Sequence, residues 1–303
     1  MRQPNIKVII PAFNEQNAVG MVIDEIPKAL VSEIIVVDNG STDDTFGQAQ
    51  SRGATALREE KRGYGNACLC GMQRIASQVS DRPDIVVFLD GDHSDYPEEM
   101  YQLVQPIIDG KADLVIGSRA LGKKEKGSMT PQQIFGNWLA TTLLRWFYGV
   151  QFTDLGPFRA VKYESLLRIN MQDKTYGWTV EMQLKALRKK LTYTEVAVRY
   201  KKRIGVSKAR SAPATKYFGQ SSGTYDRLAG NNWVRTLLVA DLSVQPGTAA
   251  PGHSLPKKQE VNASENCSTY RVPAGDRTAA YLQRALRGGK ADQTSVPPRL
   301  PKR

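Results

Sequence analysis

The sequence predicts an α/β domain: a mostly parallel sheet with helices on both faces, followed from about residue 209 by a segment of different character. Three observations predict it. Up to Lys208, short Val- and Ile-rich runs alternate with longer amphipathic ones, the pattern of repeated βαβ units. Each apolar run closes on a polar or glycine residue, which gathers polar clusters at the strands' carboxyl ends. Behind Lys208 that periodicity stops, and prolines and basic residues accumulate.

In chain order, the strand candidates are residues 6–13, 33–38, 54–57, 84–89 and 112–117, all rich in branched apolar side chains. Helices are expected between them at 18–30, 43–52, 65–78 and 98–108. Beyond the fifth strand, residues 132–148 read as a helix carrying Trp138, Trp146, Phe147 and Tyr148, with Lys123, Lys124 and Lys126 ahead of it. Its aromatic content favours core packing over membrane contact. A helix at 178–190 and a strand at 192–200 follow, then a basic loop ending in Ser207-Lys208.

A chain of 303 residues with 41% hydrophobic content is large enough for a real core, which excludes disorder throughout. No run approaches the roughly 18 to 20 apolar residues of a spanning helix, and no apolar leader follows Met1, so a cytoplasmic location is expected. Three cysteines make no disulfide framework, and the sequence reading takes them as reduced thiols. The net charge of +12 is uneven: 28 basic against 24 acidic residues up to Lys208, and 14 against 6 after it. A basic excess fits nucleic acid, anionic lipid or a phosphorylated substrate. A nucleic-acid-binding protein is disfavoured, because the first 208 residues are nearly balanced and carry no recognisable module of that kind.

The chemistry-bearing clusters fall after the first, second and fourth strands. Asp90-Gly91-Asp92 places two carboxylates one residue apart at a strand end, where both can face a hard cation such as Mg²⁺ or Mn²⁺. Alone, such a pair is a common surface feature. Pro11-Ala12-Phe13-Asn14-Glu15 and Asp38-Asn39-Gly40-Ser41-Thr42-Asp43 are each compatible with simple turn and capping chemistry. Their joint occurrence, with Gly63-Tyr64-Gly65-Asn66 between them and Asp90, carries the information.

In this order and spacing the clusters resemble the family 2 glycosyltransferases of the GT-A fold, and within them the dolichyl-phosphate mannose and glucose synthases and their polyprenyl-phosphate relatives. The resemblance continues through Gly117-Ser118-Arg119, Asp154-Leu155-Gly156-Pro157-Phe158-Arg159 and Arg203-Ile204-Gly205-Val206-Ser207-Lys208, covering residues 5–208. It implies that Pro11, Ala12, Asn14 and Glu15 hold the nucleoside, that Asp38 and Asn39 read base and ribose, and that Gly63, Gly65 and Asn66 lie near the diphosphate. Asp90 and Asp92, with Gly91 between them, match the metal-binding pair for Mg²⁺ or Mn²⁺. Arg119, Arg159, Arg203, Ser207 and Lys208 match positions facing the acceptor phosphate or donor diphosphate. Asp154 and Glu181 are the carboxylates available as a general base, Glu181 being as compatible with a structural ion pair. His93, next to the pair, reads better as a second-layer group than as a ligand. Where the family usually carries two Asp residues this chain has Asp38-Asn39, and an amide suits uracil's flanked N–H, which tilts the donor towards UDP without excluding GDP.

The implied activity is a metal-dependent, inverting transfer of a hexose from a nucleotide-sugar donor (UDP-glucose or GDP-mannose) to a polyprenyl or dolichyl phosphate, with peripheral contact at the inner face of the membrane and no nucleic-acid partner. A sugar or lipid hydroxyl is the alternative acceptor, and it would require Asp154 or Glu181 as base. A nucleotidyltransferase is disfavoured because no Gly-rich loop with Arg and Lys follows the first strand. The expected division is a catalytic domain over 1–208 and an irregular tail over 209–303, arising from a frameshifted or recombined 3′ end or from a lineage-specific extension.

Overall fold

In the computed structural model, residues 3–205 together with Asn266 and Cys267 are described. Seven strands form one sheet in the order β3-β2-β1-β4-β6-β5-β7. The first half is a repeated βαβ unit: β1 (Ile6–Ala12), α1 (Val19–Glu25), β2 (Glu33–Asp38), α2 (Thr45–Ser51), β3 (Thr55–Arg58), α3 (Tyr64–Ser77) and β4 (Ile85–Phe88). Helix α1 ends well before the expected residue 30. Pro27 forbids continuation and drives Ile26 into the extended region, at ψ 129°.

After β4 come a 3₁₀ turn (Pro97–Glu99), α4 (Met100–Ile108), β5 (Leu114–Ser118), α5 (Pro131–Tyr148), β6 (Arg159–Lys162), α6 (Tyr163–Ile169), α7 (Trp178–Arg188) and β7 (Tyr193–Ala197). Strand β6 and helix α6 were not expected from the sequence. β6 is four residues long, begins and ends on a charge, and runs antiparallel between β4 and β5. The rest of the sheet is parallel.

Alternation along β1 divides the core in two. Ile6, Val8 and Ile10 pack with α1, α2 and α4, whereas Ile9 faces α3, α6 and α7 with Phe88, Trp178 and Met182. Strand β1 is the pivot: its chain continuation pairs on one side as β2, and the later strand β4 pairs on the other. Loops leaving the carboxyl ends of β1 and β4 therefore flank the sheet's switch-point crevice.

Helix α5 is bounded by a Thr130–Gln133 capping box, Pro131 in its first turn and Gly149 at φ 66°. Leu144 reaches the core, but the aromatic residues do not pack there as their content suggested. Ile134, Phe135, Trp138, Trp146 and Phe147 are all more than half exposed. Among the described residues no helix is long and apolar enough to cross a membrane.

Cys70 is joined to Cys267, and Asn266 bridges Arg58 of β3; only Cys68 is free. This corrects the expectation of three reduced thiols, since a partner 197 positions away leaves no trace in local spacing. The proposed division at residue 208 and the irregular tail lie otherwise outside the described residues.

At the opposite end of the sheet Lys7 is fully buried, its Nζ donating to Glu33 (3.0 Å), Gln78 (2.7 Å) and Asp81 (2.6 Å). Burial opposes ionisation of Glu33, but hydrogen bonds from Gln78 and Lys7 outweigh it and hold the carboxyl below its ordinary value. Lys7→Ala removes one partner of Glu33, which keeps hydrogen bonds from Gln78 and Thr55 and an ion pair with Arg74 at 3.4 Å, and should destabilise the fold by about 1–3 kcal/mol in urea unfolding at pH 7. The deficit should shrink as the pH falls through the carboxylate range, where Glu33 is neutralised in both proteins.

Candidate active site

Asp90 and Asp92 leave β4 at the switch-point crevice. Asp90 is half-buried, and Oδ1 accepts a hydrogen bond from the Tyr64 hydroxyl at 2.9 Å. Burial, and next the charge of Asp92, push the Asp90 carboxyl up to about 7. On Asp92, Oδ1 accepts from the backbone N–H (3.0 Å) and hydroxyl (2.5 Å) of Ser94, while Oδ2 faces Arg203 Nη1 at 3.2 Å. Arg203 also pairs through Nη2 with Glu15 Oε1 at 2.5 Å, so one guanidinium bridges the loops after β1 and β4. The backbone of 200–204 is stitched over the same loop, Lys201 N–H to Ser94 O (2.8 Å) and Ile204 N–H to Asp92 O (3.0 Å).

Next to the pair lies an ion pair that the sequence had split between two roles. Arg119 donates to Asp154 from its backbone N–H (2.7 Å), Nε (2.8 Å) and Nη2 (2.7 Å). Asp154 is 1% exposed, so both groups are committed to each other. The guanidinium lies 5.1 Å from the Tyr200 ring centroid, and Tyr200 is itself pushed up to about 12, chiefly by burial.

Arg159 does not reach the crevice. It is fully buried and donates to the carbonyls of Leu155, Gly156 and Thr179, locking the 155–157 turn beneath β6. Burial lowers it to about 10. Its expected role as a phosphate ligand is corrected to a structural one.

Several donor-side residues are likewise engaged by the chain itself. Asn14, at φ 54°, accepts from Thr42 N–H at 2.8 Å, and its own N–H donates to Ser41 Oγ at 2.9 Å. Asp38 Oδ1 accepts from Ser41 N–H at 2.8 Å. Asn39 donates to the carbonyls of Glu59 (3.1 Å) and Lys61 (2.8 Å) and accepts from Gly63 N–H (2.7 Å). Its amide is spent on tying β2 to the 59–63 loop, so the inference from Asn39 to uracil loses its footing. Asn66 donates to Arg62 O at 3.1 Å. Pro11 and Ala12 are buried in the last turn of β1, and Gly91 lets the Asp90 loop lie against Ile10.

The glycines of the 63–66 segment make room for the chain's own backbone. Gly63 has φ 137°, and a Cβ there would lie 2.0 Å from Lys174 O; one on Gly65 would lie 2.0 Å from Asp173 O. Glu181 holds that opposing loop in place. It is 0% exposed and accepts from the N–H groups of Gln172 and Asp173, with Lys185 Nζ at 2.7 Å. These contacts are those of the structural ion-pair reading. Ser207 and Lys208 lie outside the described residues.

His93, at φ 62°, turns away from the pair to Glu25 Oε1 (2.7 Å) and Lys201 Nζ (2.8 Å). Tyr64, Asp95 and Tyr200 belong to the site and were missed. Tyr64 lies within the Gly63–Asn66 segment and Asp95 three residues past the acidic pair, but nothing in the spacing ties either side chain to the crevice.

The residues present fit a hard divalent cation. Two oxygen-donor carboxylates leave one strand end, and burial together with mutual repulsion holds the Asp90 carboxyl up at about 7, a cost that a dication would relieve. Among the described residues, three potential ligand atoms close within 4.8 Å of one another only at Glu59, Cys70 and Cys267, where the sulfurs are already joined to each other.

The profile of glycosyl transferase family 2 matches residues 7–169, more than half of the chain. The chain belongs to this family. It is 29% identical over 217 residues to the low-salt glycan biosynthesis hexosyltransferase Agl6 of Haloferax volcanii, covering 69% of this chain and 51% of Agl6, about half that relative's length. It is 25% identical over 215 residues to the UDP-N-acetylglucosamine–dolichyl-phosphate N-acetylglucosaminyltransferase of Methanococcus voltae, covering 64% and 84%. Among solved structures, glucosyl-3-phosphoglycerate synthase of Mycobacterium tuberculosis with phosphoglyceric acid superposes with a TM-score of 0.56 at 25% identity, covering 75% and 80%. The same enzyme with Mn²⁺ and UDP-glucose gives 0.54 at 25% identity, covering 75% and 79%. The GT-A glycosyltransferase fold expected from the motifs is thereby established.

Two outcomes follow from this geometry. Gly65→Ala forces two backbone segments apart and should lower stability by about 1–3 kcal/mol in urea unfolding. Because Asp90 is raised in the fold, its contribution to stability is present below the ordinary carboxylate range and lost as the pH rises through about 7. Asp90→Asn should therefore flatten the fall in melting temperature between pH 5 and 8 that the unliganded wild type displays.

Proposed function

We propose that this family 2 enzyme transfers a hexose from a UDP-linked donor to a polyprenyl phosphate, with Mn²⁺ or Mg²⁺ at Asp90 and Asp92. The bound cation would neutralise the diphosphate leaving group as a Lewis acid. Arg203, held between Glu15 and Asp92, adds a fixed positive charge on the same side of the crevice. Tyr64 orients Asp90 through its hydroxyl. Two relatives support UDP as the nucleotide, since the names of the Methanococcus voltae enzyme and of the mycobacterial complex both carry a UDP sugar.

The observation that carries the phosphate acceptor is the state of the candidate bases. A hydroxyl acceptor needs a carboxylate to take its proton, yet Asp154 is saturated by Arg119 and Glu181 is sealed under two backbone N–H groups. A phosphate monoester, with a second pKa of about 6, arrives already anionic. It needs positioning and charge, not a base.

Surface character supports a lipid carrier. A cavity of about 220 Å³ beside Asp154 is walled by Met129, Ile134 and Trp138 and continues onto the exposed aromatic face of α5. Lys123, Lys124 and Lys126 are exposed on the loop leading into that helix. An aromatic face rimmed by cations suits peripheral contact with an anionic bilayer, which would bring the acceptor's head group to the crevice. The enzyme would then work at the inner face of the membrane.

Incubation with UDP-glucose, Mn²⁺ and either a polyprenyl phosphate or the matching polyprenol tests this reading. Transfer to the phosphate alone is expected; transfer to the alcohol alone would establish a hydroxyl acceptor. Asp92→Asn should lower turnover at least about 100-fold while leaving the melting temperature within a few degrees. Sedimentation with vesicles containing anionic lipid should weaken with salt and with Trp138→Ala or Trp146→Ala, and no sedimentation at low salt would remove the membrane from the account.

A further inference from the structure

Asp95 stands three residues beyond Asp92 and is 2% exposed. Both of its carboxylate oxygens are buried without a hydrogen-bond partner, a condition that no other carboxylate shares among the described residues. Its backbone is fixed, because Asp95 bridges Tyr200 while the neighbouring Ser94 carbonyl accepts from Lys201. The orphaned oxygens are thus a feature of an ordered, stitched segment.

The charges around Asp95 make the orphaning more costly. Asp90, Asp92 and Asp154 all repel it, and Arg119, the cation that attracts it, already serves Asp154 with both of its bonding nitrogens. A residue that only filled this space would be better as Asn or Ser, each able to bury itself with fewer unmet acceptors. What the position lacks, among the described residues, is a positive charge of its own.

We propose that Asp95 is the rear carboxylate of the cation site, a positioning residue that raises affinity for the divalent ion held by Asp90 and Asp92. Among the described residues, oxygens of Asp90, Asp92 and Asp95 do not all lie within 4.8 Å of one another; Asp95 would act at one remove, by charge and by accepting from water on the ion. This rests on the cation reading above and extends it to a residue outside the acidic pair.

The test is Asp95→Asn, with Mn²⁺ affinity read by electron paramagnetic resonance of the free ion in the presence of UDP, and with thermal unfolding in chelator. The variant should bind Mn²⁺ about 10- to 100-fold more weakly. In chelator it should melt at or above the wild-type temperature, because a buried carboxyl that must take up a proton or stay charged without a partner has been removed; a residue with a merely structural role would lower it. Asp95→Ser should show the same loss of affinity. Unchanged Mn²⁺ affinity in a folded variant, or loss of the fold in both variants, overturns the inference while leaving the Asp90–Asp92 site standing. A wild type that binds neither Mn²⁺ nor Mg²⁺ overturns both.

Discussion

Three carboxylates, Asp90, Asp92 and Asp95, are crowded into the buried crevice between the ends of β1 and β4, and much of the surrounding structure answers that crowding. Like charges in a low-dielectric pocket repel strongly, and the pocket here is closed by protein on most sides. Tyr64 donates to one oxygen of Asp90, Ser94 donates twice to Asp92, and Arg203 reaches across from Glu15. Arg119 is near but is retained by Asp154. The balance left over is negative, and it is concentrated where the parallel sheet changes direction. A crevice of this kind is stable enough to fold, and a dication placed in it would relieve the excess.

The closing segments follow from the same demand. Residues 200–204 run over the acidic loop as a strap, using backbone N–H groups that a surface loop would give to water. On the donor side, Asn39 and the glycines at 63 and 65 allow the 59–66 and 172–175 segments to meet backbone to backbone, with Glu181 anchoring the second from below. These contacts make the crevice walls rigid. Helix α5 is built the other way, with firm caps at both ends and an aromatic face left to solvent. A rigid polar crevice beside an apolar outer face is the arrangement that a soluble sugar nucleotide and an amphiphilic acceptor would each require.

Much of the sheet was legible because buried parallel strands are nearly continuous runs of Val and Ile, and the helices between them carry a distinct period. Strand β6 escaped because Arg159-Ala160-Val161-Lys162 is too short to display a period and hides a buried arginine. The acidic pair was legible from its place at a strand end. The partners of Asn39, Gly65, Arg159 and Glu181 were not. Sequence identifies groups capable of binding phosphate or base, but it does not reveal that a carbonyl or N–H of the same chain reaches them first. For α5, aromatic residues at 135, 138, 146, 147 and 148 are consistent with either a core or an interface, and burial alone decides between them.

If the buried carboxylates and the diphosphate share one cation, the two ligands must bind cooperatively, each repairing a charge imbalance that the other leaves. Thermal unfolding at pH 7.5 with Mn²⁺ alone, UDP alone and both together measures this directly. A small rise in melting temperature is expected for each ligand singly, and a joint rise clearly larger than their sum. A joint rise equal to the sum, or a UDP effect indifferent to Mn²⁺, would contradict it.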